Sequence, residues 1–179
     1  MAQSTPTIAD IREVLVTTPA TLRALVAGMP SSALHYREAP GDWTPVQVLA
    51  HVADGEITDW MPRVSLMMTD GGPRRFTPYD REGGFARYDG WDAPALLEEL
   101  ERLRAANLAQ LRTLDLSESD LRRTGIHPEL GQVTLGQLLA CWATHDLAHI
   151  AQISRALTRC FGAHVGPWRA YFSLLRDSS

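Results

Sequence analysis

The chain has no lysine: all seventeen basic residues are arginines, set against twenty-one acidic residues for a formal net charge of −4. No basic stripe forms along it, which excludes a nucleic-acid-binding face. Cysteine is almost absent. Cys141 and Cys160 are the only two, too few for a disulfide framework. No apolar run approaches the roughly 20 residues of a membrane-spanning helix, and the opening residues 1–15 lack the basic-then-apolar order of a secretion signal. Internal repeats and convincing strand runs are missing too. What remains is a 179-residue chain, 45% hydrophobic, long enough for one well-buried domain and short for two. The expectation is a single cytoplasmic all-α domain over residues 1–179, with no nucleic-acid or membrane partner.

Four stretches carry helical periodicity. In residues 8–29, Ile11, Leu15, Thr18, Leu22, Leu25 and Met29 form one stripe, and Pro19 inside it predicts a kink or two helical pieces. Residues 43–68 begin with Thr44 as cap, Pro45 at the first helical position and Gln47 completing a capping box. Their apolar stripe reads Val46, Leu49, Ala53, Ile57, Trp60 and Val64, and Pro62 bends the end. In residues 92–114 the leucines 96, 100, 103, 108, 111 and 114 face the core, leaving Glu98–Arg102 and Glu101–Arg104 as surface pairs. The fourth helix, residues 134–157, has the most complete start signals, Thr134 with Gln137. Between the second and third lies a long connection, residues 69–91, and residues 124–133 read as a turn or small hairpin. A final short helix over 167–175 should pack Trp168, Tyr171 and Phe172 on the bundle. The sum is a four-helix bundle whose long connection lets helices two and three run parallel.

The fourth helix carries His145 and His149, four residues apart and so one above the other on one face. They continue the stripe Leu138, Trp142, Gln152, Ala156, which points them inward. Two imidazoles so placed suit one divalent metal ion, and equally suit two satisfied core histidines; a third ligand decides. His51 lies off the apolar stripe of its helix, among Gln47, Asp54 and Thr58, on a face that is either solvated surface, which periodicity favours, or a cavity wall. The long connection holds Arg74, Arg75, Phe76, Tyr79, Arg81, Arg87 and Tyr88. That set either grips an anionic or aromatic small molecule or is a solvated crossover.

Two segments in this order and spacing, Trp43-Thr44-Pro45-Val46-Gln47-Val48-Leu49-Ala50-His51-Val52-Ala53-Asp54 and His145-Asp146-Leu147-Ala148-His149-Ile150-Ala151-Gln152-Ile153, resemble the DinB-like (YfiT-like) metalloenzymes. The resemblance covers nearly the whole chain. It implies an up-down-down-up four-helix bundle, often a homodimer, and a divalent ion, nickel or zinc, held by His51, His145 and His149. Three neutral imidazoles leave an open coordination position, as catalytic sites do. Asp54, one turn from His51, is the better candidate to orient a ligand; Asp146 adjoins His145 but points some 100° away. Cys141, one turn before His145, has no ligand role in the family pattern.

Three functions follow. By resemblance the ion activates a low-molecular-weight thiol as co-substrate, making the protein an S-transferase with Arg74, Arg75, Tyr79 and Arg81 holding a small-molecule substrate. The alternative is a metal-dependent small-molecule hydrolase using activated water; His145-Asp146-Leu147-Ala148-His149 has the outline of the HExxH signature with Asp in place of Glu. The third is a non-catalytic metal-binding dimeric bundle.

Overall fold

The computed structural model describes residues 7–175. Helix α1, Ile8–Val26, starts at a capping box between Thr7 and Asp10 and runs unbroken through Pro19, where a kink or two pieces were expected. Pro19 has no N–H for the carbonyl of Leu15 four residues back. The guanidinium of Arg104 supplies the donor instead, Nη1 to the Leu15 oxygen at 2.8 Å. After the short α2, Ser31–Leu34, the expected second helix is two: α3, Pro45–Thr58, and α4, Trp60–Met68, separated at Asp59 (φ −116°, ψ −67°). Pro62 removes the N–H that would bind the Thr58 carbonyl, so the helix parts there rather than bending further on.

The stripe read for this helix also needs correction. Ile57 is 38% exposed, whereas Val48 and Val52 are buried. Helix α3 is enclosed on every side from Val48 to Glu56, so a one-sided wheel has nothing to find. A small helix from the long connection, α5, Gly83–Arg87, closes one flank. It fits because a Cβ at Gly84 would stand 2.8 Å from both the Ala50 carbonyl oxygen and Asp54 Cβ.

Helix α6, Ala93–Thr113, is capped by Asp92. The surface pairs expected on it do not form. Arg102 meets Glu99 and Glu101 meets Arg23, while Arg104 is buried. It lies four residues from both Leu100 and Leu108, on the core stripe itself. A short α7, Glu118–Leu121, precedes the hairpin of β1, Thr124–His127, and β2, Gly131–Thr134, antiparallel with Thr124 opposite Thr134. Arg75 bridges to Ile126, tying the long connection to the hairpin. Helix α8, Leu135–Gly162, has the expected Thr134–Gln137 box.

The chain then winds as two 3-10 turns, Gly166–Tyr171 and Ser173–Leu175. Trp168, Tyr171 and Phe172 are exposed, not packed as expected, and Leu175 is the buried anchor. Segments this short, six and three residues, build no continuous apolar face.

Two cores fix the helix directions. One collects the end of α1 (Leu22, Val26), the starts of α3 and α6 (Val48–Ala53, Leu96–Leu100) and the end of α8 (Ile153, Leu157). The other collects the start of α1 (Ile11, Leu15), α4 (Trp60, Val64), the end of α6 (Leu108, Leu111) and the start of α8 (Leu135–Trp142). Helices α1 and α8 therefore run one way, α3–α4 and α6 the other. The bundle is up-down-down-up.

Candidate metal centre

Three imidazoles meet where the two cores adjoin. His51 projects from α3, His145 and His149 from successive turns of α8. His145 Nε2 lies 3.0 Å from His51 Nε2 and 3.0 Å from His149 Nε2, and one ligand atom from each ring falls within 4.8 Å of the others. A tetrahedral ion with nitrogens at 2.0–2.1 Å needs them about 3.3 Å apart. The rings are held by what surrounds them. Trp43 packs on His51 and stacks along His149, and Trp60 meets His145 edge-on at 5.1 Å.

The remote nitrogens set the tautomers. His51 Nδ1 is 3.0 Å from the carbonyl oxygen of Arg81, and His149 Nδ1 is 2.7 Å from Gln152 Oε1. Those oxygens only accept, so both Nδ1 atoms carry hydrogen and both Nε2 atoms present lone pairs. One hydrogen on His145 Nε2 can be aimed at only one of its two neighbours, which leaves the other 3.0 Å approach without a hydrogen bond, and a shared cation would satisfy all three nitrogens. The donor set fits a divalent ion. Burial first, then the neighbouring histidines, hold His51 down to about 4; burial, then His145, hold His149 there too. Both are neutral, as ligands must be, at neutral pH.

The sequence expectations for the surroundings divide. His51 is 3% exposed and lines a cavity of about 280 Å³ together with His145, His149, Tyr79 and Arg81, so the surface reading of its face is overturned. Tyr79 brings its hydroxyl to 3.4 Å from His51 Nδ1. Arg74 and Arg75 stay outside: Arg74 turns to the carbonyl of Asp70, and Arg75 sits at the hairpin bridge. Asp54, the favoured orienting residue, binds Arg87 and Thr58 and no histidine. Asp146 comes nearer, at 3.9 Å from His145 Nδ1, too far for a hydrogen bond. Cys141 lines the cavity, yet its sulfur is not among the converging ligand atoms.

Sequence reasoning missed the support behind the site. Arg104 donates to both oxygens of Asp146 (2.6 and 3.1 Å) and to Glu56 Oε1 (2.8 Å). Trp142 Nε1 and Asn107 complete the shell of Glu56. This buried cluster joins all four helices directly behind His145. A charged residue on the leucine stripe of α6 and an acid inside the apolar α3 were its visible signs. Gln152, three residues after His149, was legible as a same-face neighbour; the Arg81 carbonyl, thirty residues from His51, was not.

A four-helix bundle of this direction pattern, with three histidines converging from its second and fourth helices, defines a class of metal-site bundles. The chain belongs to the DinB superfamily, whose family profile matches residues 15–153. A relative from Oceanobacillus iheyensis, named "putative metal-dependent hydrolase", is 31% identical over 143 residues, 79% of this chain and 80% of its own. YfiT of Bacillus subtilis carries the same designation and is 30% identical over 151 residues, 81% of this chain and 83% of its own. The solved structure of YfiT, described as "a probable metal-dependent hydrolase with an unusual four-helix bundle topology", superposes with a TM-score of 0.75 at 28% identity, covering 90% of this chain and 93% of that one.

Proposed function

We propose that this protein is a divalent-metal-dependent hydrolase of a small molecule, with zinc or nickel as the ion. The observation that carries the reading is the meeting of three Nε2 atoms at one end of an open cavity. His51, His145 and His149 would hold the ion as neutral imidazoles, and it would supply the acidification that makes a proton of water easier to remove near neutral pH. The protein's own part is orientation. Arg81 and Gln152 fix the ring tautomers, Trp43 and Trp60 fix the ring planes, and Tyr79 and Arg81 line the cavity beside them. The Arg81 guanidinium rests over Trp43 at 5.5 Å, which holds a positive charge beside the histidines.

The DinB-like resemblance placed a thiol co-substrate first, because some members of that family are thiol S-transferases. The names of the relatives support hydrolysis instead, and no residue of the cavity marks a thiol. The test is protein purified without an affinity tag, analysed for metal, loaded with zinc or nickel, and assayed against a panel of small esters and amides with and without added thiol. Turnover without thiol, abolished by chelator and by His51→Ala, is expected. Turnover that needs thiol would replace hydrolysis by transfer.

A further inference from the structure

Four carboxylates are buried among the described residues: Asp54, Glu56, Asp59 and Asp146. Three are saturated. Asp54 holds Arg87 with one oxygen and Thr58 with the other. Glu56 divides its oxygens between Arg104 with Trp142 and Asn107, and Asp146 is gripped on both oxygens by Arg104. Asp146 occupies the Glu position of an HExxH outline, yet its carboxylate is committed to the opposite side of α8. It has no oxygen left for chemistry.

Asp59 differs. It is 5% exposed and lines the same cavity as the three histidines. Its one charged partner is Arg63, one turn on, at 2.6 Å from Oδ1, but the N–H is not aimed at the oxygen, and Oδ1 is left without a directed hydrogen bond. Two further residues lining this cavity each hold one buried nitrogen without a hydrogen-bond partner, Trp60 Nε1 and His145 Nδ1. Buried polar atoms without a hydrogen bond are rare, and three in residues around one cavity mark this as a polar region built for more than packing. The break between α3 and α4 puts Asp59 there. The same cavity is lined by Arg63 from α4, His145 and Cys141 from α8, His127 from β1 and Tyr79 from the long connection.

We infer that Asp59 is the proton acceptor of this site, the general base of the hydrolysis proposed above, on which this inference rests. Asp59 takes one proton from the attacking water. The water oxygen forms the new bond to the electrophilic carbon of the substrate; the bond from that carbon to the leaving atom breaks. The electron pair goes to the leaving atom, which takes the proton back from Asp59. Water is the only co-reactant, and nothing is oxidised or reduced.

The test is Asp59→Asn, which keeps the shape and an oxygen acceptor for Arg63. Two readouts are made on full-length protein: hydrolysis of p-nitrophenyl acetate by the zinc-loaded form, and the pH midpoint of the visible band of the cobalt-loaded form. Expected are one metal ion per chain as in wild type, kcat lowered about 100-fold with KM within about twofold, and a cobalt midpoint moved by at least about one pH unit. If kcat and the midpoint both stay at wild-type values, the assignment is overturned. If D59N loses metal, or melts lower while its folded fraction keeps kcat, Asp59 is a strut and the assignment is overturned too. If the wild type itself does not turn over the ester, the hydrolase reading fails on that probe and the cobalt midpoint alone judges Asp59: a shift with D59N sustains it as the acceptor, no shift removes it.

Discussion

At His149, the Nδ1 hydrogen bond to Gln152 fixes which nitrogen faces the cluster. Gln152→Leu removes that bond while keeping the side-chain bulk, so the ring gains a second tautomer and rotational freedom. Partners of this kind are worth 10–100-fold in metal affinity. Zinc affinity, measured by competition with a chromophoric chelator, is expected to fall by about that factor with no change in helix content. The lowered His pKa values also give the metal-free protein a pH signature. His51 and His149 hold near 4 in the fold, against about 6.5 in the unfolded chain. The unfolded state therefore binds more protons between those values. Stability is full above about pH 6.5 and declines as pH falls toward 4. Denaturant midpoints of chelator-treated protein between pH 7.5 and 4.5 check this, and the decline should shrink in the His51→Gln variant.

At the scale of elements, the buried cluster is what locks α8 against α1, α3 and α6. Arg104 answers two acids and a proline-freed carbonyl at once. Arg104→Ala leaves Glu56 and Asp146 buried without a cation, a change that costs about 3–5 kcal/mol. Urea unfolding is expected to show that loss as a lower midpoint at unchanged slope. Arg104→Lys should not restore it, because a single ammonium cannot fork to Asp146 and reach Glu56 and Leu15 together. The hairpin has its own dependence. A Cβ at Gly125 would stand 2.5 Å from the Phe76 ring, which is buried in the core between hairpin and α4. Gly125→Ala is expected to destabilise by about 1–3 kcal/mol, read by thermal melting, with the metal site retained.

Over the whole molecule, the three histidines come from two helices that run in opposite directions, His51 and His145 standing 94 residues apart in sequence. An ion that binds only the folded chain stabilises it by mass action, about 2.7 kcal/mol at a hundred times its dissociation constant. For a chain of this size that is a rise of roughly 5–10 °C in Tm. Zinc-loaded protein should melt higher than chelator-treated protein by about that amount, and the difference should vanish in His51→Ala. Among the described residues no helix is long and apolar enough to cross a membrane.

The sequence by itself determined the four helical stretches, two of their capping boxes, the parallel pair made possible by the long connection, and the inward alignment of His145 with His149. These are local facts: a period of 3.6 and a cap three residues long are read within one segment. The place of His51 was legible by family resemblance, while its helical wheel pointed to the surface, because α3 is covered on all sides and periodicity reports only one-sided burial. Asp59 and the Arg81 carbonyl were beyond the sequence altogether, and Arg104 showed only as a charge on the leucine stripe of α6. Whether a carboxylate is saturated or left facing a cavity depends on which distant donors arrive beside it, and those distances are set only when the helices pack.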